Sequence, residues 1–381
     1  MIRCNWIIMN MIMTFVPAFC FSQSSGSTES ETISISIADA ISLESSDIFN
    51  SIEILPLEFN TSAIIQNIEK VNKCNDRLYV LNRMNSTANI VVFNLDGTFS
   101  NVLDRRGKGP GEFVQIFDFD VDPISNNIWI SDGLQSRMNI YDEKLHFIRE
   151  HRFEKGKQAN LLCFQKSDPK WIVFTKGFNR DDPNDKNQIM VGNNDGNIYN
   201  EYLPVKKRPG SSYGRRFRLQ PTSNSVAYFP AFSDYIYYIN QDTCFIAYNI
   251  DFDRDCIKQG TRITSSAHSG EVFSQSIVDS DVLLLVFYMY NSKVYFSFYN
   301  KLTKQITTVT NPWNSITNSG YLLDPIGSID NKLVFVASNM DIHEILSKID
   351  KGGSKLSNSE ALKKIDPASE LSNPILIFAE L

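Results

Sequence analysis

Apolar and polar residues alternate along nearly the whole chain in short runs, the period-two signature of half-buried strands. "RLYVLNRM" (Arg77 to Met84) is followed by "NIVVFNLDGTFSNVLDR" (Asn89 to Arg105), then "FDFDVDPISNNIWISD" (Phe117 to Asp132) and "RMNIYDEKLHFIREHRF" (Arg137 to Phe153). The alternation returns in 159–178, 188–205, 225–253, 281–309 and 322–338. The Asp96-Gly97 step between two alternating runs predicts a hairpin turn. Each round holds about four short strands and recurs roughly every 45 residues, the period of a propeller blade. Two rounds align directly. "RLYVLN…NIVVFNLDGTF" and "NIWISD…RMNIYDEKLHF" share the order apolar strand, polar loop, apolar strand, turn, aromatic. A sandwich would alternate without that register.

The pattern predicts an all-β fold: a six-bladed β-propeller of four-stranded antiparallel blades, over residues 51–381. Blades begin near Ser62, Val114, Ala159, Phe217, Val272 and Gly320. The sixth has only three strands of its own, in "GYLLDPIGSI", "KLVFVAS" and "PILIFAEL". An open ring exposes sheet edges, so "SIEILPLEF" (Ser51 to Phe59) is expected to close the last blade as its outer strand. Helical spacing occurs in "MDIHEILSKID", ended by Gly352-Gly353, and in "SNSEALKKID", where Ser357 and Glu360 form a capping box. These predict a small helical insertion over about 340–372 in the last blade.

Composition and charge narrow the functional classes. The 381 residues carry a net charge of −6, so the chain lacks the global basic footprint of a nucleic-acid binder, and any anion site must be local. Residues 1–22 read as a signal peptide: Arg3, then an interrupted apolar run from Trp6 to Phe21, too short to span a bilayer. Cleavage before Gln23 is expected; the competing reading makes Cys20 a lipidated N-terminus, although bulky Phe19 spoils the lipobox. The protein is then exported to the periplasm or cell surface, with no transmembrane segment after signal removal, as a monomer. A Ser-rich segment, 23–50, follows, within which "TISISI" (Thr32 to Ile37) alternates as a strand does. Export permits disulfides among Cys74, Cys163, Cys244 and Cys256, with three possible pairings. No C-x-x-C spacing marks a metal site, and free thiols in strands are the simpler reading.

Several segments together resemble a known family, the secreted six-bladed β-propellers of Bacteroides-type bacteria, related to NHL-repeat propellers. "GKGPGEF" with "FDFDVDPISNNIWISDGLQSRMNIYDEKLHF" resembles an NHL repeat. "SIEILPLE", "FSDYIYYINQDTCFIAYNIDFD" and "NPILIFAEL" resemble that family's recurring segments. The resemblance implies the propeller fold and export. It implies little about activity.

Candidate chemistry is sparse. "DRRGKGPGEF" (Asp104 to Phe113) lacks the strand-to-helix setting of a dinucleotide fingerprint and the Lys-Ser/Thr pair of a Walker loop. It reads as a connector between blades, with Arg106 and Lys108 as candidate ligand-binding cations. A second basic cluster, "KKRPGSSYGRRFR", holds Lys206, Lys207, Arg208, Arg215, Arg216 and Arg218. There Arg215 and Arg216 could pair bidentately with carboxylate or sulfate, and Tyr213 could stack on a sugar ring. "NRDDPNDKN" (Asn179 to Asn187) lacks the spacing and closing Glu of an EF-hand loop. No H-E-x-x-H occurs, and His146, His151, His268 and His343 stand singly. Catalytic residues are not identified, and no cofactor is expected. The sequence reads as a non-catalytic propeller binding a glycan or an envelope protein. A propeller enzyme of the polysaccharide-lyase or lactonase type is the rival reading, and a structural scaffold the third.

Overall fold

A computed structural model describes residues 30–43, 48–85, 87–153, 159–168, 170–176, 187–204, 218–230, 233–256, 270–310, 325–338, 355–356 and 373–380. Two strands precede the first blade, β1 (Glu31–Ile35) and β2 (Ser51–Pro56). Blade one contains β3 (Ile68–Cys74), β4 (Arg77–Met84), β5 (Thr87–Asn94) and β6 (Phe99–Leu103). Blade two contains β7 (Ile116–Val121), β8 (Ile128–Asp132), β9 (Arg137–Tyr141) and β10 (Phe147–Arg152). Blade three contains β11 (Ala159–Phe164), β12 (Trp171–Lys176), β13 (Asn187–Asn193) and β14 (Ile198–Pro204). Blade four contains β15 (Leu219–Pro221), β16 (Val226–Tyr228), β17 (Tyr235–Ile239) and β18 (Cys244–Phe252). Blade five contains β19 (Val272–Asp279), β20 (Leu283–Tyr290), β21 (Lys293–Asn300) and β22 (Ile306–Thr310). Blade six contains β23 (Gly327–Ile329) and β24 (Lys332–Ala337), then the short β25 (Lys355–Leu356), and β26 (Ile375–Glu380).

The chain is therefore a six-bladed β-propeller, and its last blade is closed from the N-terminal side. β2 lies antiparallel to β26, from Ser51 opposite Glu380 to Pro56 opposite Ile375. The two-residue β25 pairs in parallel with Ser51 and Ile52 on the outside of that sheet. The helices expected over 340–372 lie outside the described residues, apart from β25 between them.

The N-terminal segment does more than close the ring. β1, the strand expected in "TISISI", runs parallel to β18 from Glu31 opposite Tyr248 to Ile35 opposite Phe252. Farther on, Ile41 bridges β22: its N–H donates to the Thr308 carbonyl at 3.1 Å, and its carbonyl accepts from Thr310 N–H at 3.0 Å. The segment thus covers the outer edges of blades four and five before becoming the outer strand of blade six. Covered edges cannot recruit another chain's strand.

Alternation explains the core. In β4, Leu78 and Val80 point into the apolar layer shared with blade six, while Tyr79 and Leu81 point into the layer shared with blade two. The same rule produces six buried clusters, one at each blade junction. Ile33, Ile35 and Ile37 of the N-terminal segment join the layer between blades four and five; Ile48, Phe49, Ile52 and Ile54 join the next one.

Strand polarity sorts the connections into two ends of the ring. One end carries only short turns, the longest being 122–127 and 165–170. The other carries the inter-blade connections, including 104–115, 205–218, 253–271 and 311–326, and the 338–374 excursion within blade six.

Candidate functional site

The segment Asp104–Phe113 connects β6 to β7 and is tied to blade two. Phe113 N–H donates to the Arg105 carbonyl at 2.8 Å and Gly107 N–H to the Phe113 carbonyl at 3.1 Å, pinching the loop shut. Glu112 Oε2 accepts from Gly109 N–H at 2.8 Å. Gly111 has φ +68, and a Cβ there would lie 2.6 Å from Phe147 Cγ, so only glycine fits. Beneath the loop lies Arg137, whose side chain is fully buried. Its Nη2 donates to the Glu112 carbonyl at 2.6 Å, its Nη1 to Glu150 Oε2 at 2.8 Å, and Asp132 lies 3.7 Å from Nε. Asn139 Nδ2 donates to the same Glu112 carbonyl at 2.8 Å, and the Tyr141 hydroxyl to the Gly111 carbonyl at 2.9 Å. The cations expected to bind ligand are placed differently from one another. Arg106 is exposed and already engages Asp104 through both Nε (2.8 Å) and Nη2 (3.0 Å). Lys108 is exposed at the tip. The connector reading of this loop fits its geometry.

The aligned rounds of blades one and two prove equivalent in detail. Asn82 at the end of the second strand of blade one accepts Gln66 N–H at 2.9 Å; Asp132 in blade two accepts Val114 N–H at 3.0 Å. Each polar side chain fixes the turn by which the chain enters its blade's inner strand.

Along the channel, the inner strands of blades one to three are stitched by carboxylates of β7. Lys70 Nζ reaches both oxygens of Asp118 at 3.2 Å and the Phe119 carbonyl at 2.7 Å, while Leu162 N–H donates to Asp118 Oδ2 at 3.0 Å. Asp120 accepts from Asn72 Nδ2 at 2.6 Å and from Phe164 N–H at 2.9 Å. Burial pushes the Asp118 carboxyl up to about 6, against the pull of Lys70. Burial alone would lower Lys70, but Asp118 and Asp120 outweigh it and raise it.

Blades four and five are joined by two further polar groupings. At the short-turn end, the Tyr238 hydroxyl donates to Asp279 Oδ2 at 2.7 Å, and Lys301 contacts both Asp279 and the Tyr238 oxygen. Lys301 Nζ also lies 5.8 Å from the ring centres of Tyr238 and Tyr248. Burial raises Asp279, with Lys301 opposing. At the long-connection end, Arg218 immediately precedes β15 and is only 4% exposed. Its Nη1 donates to the Phe229 carbonyl at 3.3 Å, and its Nε and Nη2 have no hydrogen-bond partner. Burial lowers Arg218 to about 10. Gln220, two residues on, accepts Asp279 N–H at 3.0 Å, and its buried Nε2 is likewise unpartnered.

Tyr213, Arg215 and Arg216 lie outside the described residues, as does most of the 179–187 acidic stretch. Arg218 was legible only as one cation among six in its cluster; nothing in that run sets it apart as the buried one. All four cysteines are free thiols. Burial raises Cys163 well above the usual thiol range and pushes Cys244 and Cys256 up to about 12, so they are held as thiols. His146 is an exposed turn residue against Asp142, at 3.2 Å. Among the described residues no three His, Cys, Asp or Glu side chains gather as a metal site, and no helix is long and apolar enough to cross a membrane.

A ring of six four-stranded blades with a strapped, N-terminally closed edge defines the class: a six-bladed β-propeller. The chain belongs to the family described as Domain of unknown function (DUF4934), whose model matches residues 31–380. Among solved structures it is similar to a candidate exported protein from Bacteroides fragilis NCTC 9343, with a TM-score of 0.73, at 18% identity, over 92% of this chain and 99% of that one. It is also similar to a member of the DUF4221 family from Bacteroides vulgatus ATCC 8482, with a TM-score of 0.50, at 11% identity, over 87% and 98% of the two chains. No curated protein matches.

Proposed function

We propose that the protein is an exported propeller that binds an acidic glycan at the end of the ring carrying the long connections. One observation carries the reading. By strand polarity, β6 and β14 end at the same end of the ring, so the connection 104–115, with Lys108 and the Asp104-paired Arg106, and the connection 205–218, with five cations before the buried Arg218, both leave from that end. Two cation-bearing connections distant in sequence thereby start from one end of the ring in an otherwise acidic protein, which favours an anionic ligand at that end. Export is supported by the apolar run of residues 6–21 and by the likeness to a candidate exported protein. The test is binding to immobilised polygalacturonate and sulfated glycans, comparing wild type with the double variant Arg215→Ala, Arg216→Ala. Weakening by about tenfold or more is expected, since charge-assisted bonds contribute roughly 1.5–3 kcal/mol each. Equal retention of both proteins would remove this rim from the function. Cleavage of the glycan by the wild type would favour a propeller enzyme instead.

A further inference from the structure

Among the described residues two arginines are buried, Arg137 and Arg218, and they are treated differently. Arg137 has Glu150 at 2.8 Å, Asp132 at 3.7 Å and the Glu112 carbonyl at 2.6 Å, so carboxylates answer its charge although its Nε makes no hydrogen bond. Arg218 is 4% exposed and makes a single hydrogen bond, at 3.3 Å, to the Phe229 carbonyl. Among the described residues no carboxylate pairs with it, and two of its nitrogens are idle. Buried charges in folded proteins are ordinarily paired, because an unanswered one is costly to remove from water.

The adjoining sequence supplies no missing partner. The segments entering and leaving blade four, 205–217 and 257–269, contain no Asp or Glu. They contain Lys206, Lys207, Arg208, Arg215, Arg216, Lys258 and Arg262 instead. None of the residues in these two stretches can therefore supply a counter-charge for Arg218. A second idle donor lies alongside. The ladder of β15 and β16 continues through Phe229 N–H to the Arg218 carbonyl at 2.9 Å, so Arg218 and Gln220 fall on one face of the strand. That face looks to blade five, because Gln220 Oε1 takes Asp279 N–H. Its Nε2 is left with nothing to donate to.

We propose that Arg218 and Gln220 form the floor of an oxyanion subsite between blades four and five, entered from the long-connection side on which Arg218 precedes β15, taking a carboxylate or sulfate group. The guanidinium offers its Nε and Nη2 edge, the pair of donors that matches the two oxygens of such a group. Gln220 Nε2 supplies a third donor from the strand below. The cations carried by the flanking sequence, 205–217 and 257–269, favour an anion here, and the buried Arg218 holds it. This rests on the reading of the ring end as an acidic-ligand surface and assigns the group that is recognised there.

The experiment measures melting temperature at constant ionic strength in sodium glucuronate, sodium sulfate and sodium chloride, for wild type, Arg218→Met and Gln220→Leu. Wild type should be stabilised by glucuronate or sulfate relative to chloride. Arg218→Met should melt higher than wild type in chloride, since an unanswered buried charge has been replaced by an apolar chain of similar length. It should show no anion-dependent shift. Gln220→Leu should keep the shift but need about tenfold more anion to reach it. Sulfate acting without glucuronate would assign the subsite to sulfate esters, and the converse to uronic acids. A wild type indifferent to both anions overturns the subsite, as does an anion shift that survives in Arg218→Met. Polygalacturonate binding by the wild type, measured separately, tells the failure of the subsite from failure of the whole acidic-ligand reading. If Arg218→Met does not fold, the roughly tenfold higher anion requirement of Gln220→Leu alone carries the test, and an unchanged requirement overturns the subsite.

Discussion

Closure of the ring by β2 can be tested at one residue. Ile54 is fully buried, stands opposite Ile377 of β26, and lies in the layer between blades five and six with Phe49, Phe296 and Phe335. Ile54→Ala removes three methyl or methylene groups from that layer. At about 0.8 kcal/mol per buried group the transfer loss alone is about 2.4 kcal/mol. The cavity left behind brings the expected cost to about 2–5 kcal/mol. A ring whose last blade is latched by this strand should unfold as one unit. Unfolding entropy near 60 °C is about 2.1 cal/mol/K per residue, which over roughly 330 residues gives about 0.7 kcal/mol/K. A loss of about 3 kcal/mol then lowers the melting temperature by about 4 °C.

The neighbouring Glu53 provides the control. It belongs to the same strand and pairs with Lys332 at 2.9 Å, but the pair is partly exposed. Such surface ion pairs contribute about 0–1 kcal/mol, so Glu53→Ala should lower the melting temperature by no more than about 1.5 °C. Calorimetry on the two variants and the wild type decides the matter. Ile54→Ala melting within a degree of Glu53→Ala would mean that β2 is not a closing strand. A new early transition in Ile54→Ala, with the main one unmoved, would mean that the latch can open without the ring failing.

Two other expectations concern the polar interior. Arg137→Ala leaves Asp132 buried without its cation and removes one of the two donors to the Glu112 carbonyl, which should cost about 3–5 kcal/mol; chemical denaturation with an unchanged slope and a lower midpoint is the expected result, and an unchanged midpoint counts against the anchoring of the 104–113 loop. Asp118 titrates near 6 in the folded protein and near 4 when unfolded. Between those values the folded state holds a proton that the unfolded chain has released, so this group's contribution rises as pH falls from about 6 to 4. The stability difference between wild type and Asp118→Asn should therefore be larger at pH 5 than at pH 7, and the opposite trend in melts at the two pH values refutes the assignment.

Much of the fold was legible because the propeller writes its rules locally. Alternation in "RLYVL" sends Leu78 and Val80 to one neighbour and Tyr79 and Leu81 to the other, and the repeat length sets how many such sheets fit. The shortage of one strand in blade six pointed to Ser51–Phe59 by simple counting. The strap was harder to read. "TISISI" declares itself a strand, but its partner β18 lies more than 200 residues away, and a parallel addition to an already complete blade leaves no gap in any count. Nothing in the pattern of residues 36–43 marks Ile41 as a bridge to β22.

The candidate site was less legible for a related reason: the partners that decide what a charged side chain does come from distant elements. Arg106, Arg137 and Arg218 are one residue type in one propeller. Arg106 is neutralised two residues away, by Asp104, and so is least available although its glycine-rich setting draws the eye. Arg137 sits in an unremarkable strand, "RMNIY", and is answered by Glu150 from the next strand and by backbone from a connection 25 residues upstream. Arg218 closes a run of cations that reads as a solvated loop, yet the strand that starts after it carries its side chain inward, where no acid follows. A buried position next to a strand, cations on both flanking connections and a lack of nearby carboxylates are each readable alone. Only the ladder that aligns Arg218 with Phe229, and the hydrogen bond that joins Gln220 to Asp279, turn them into an unanswered charge.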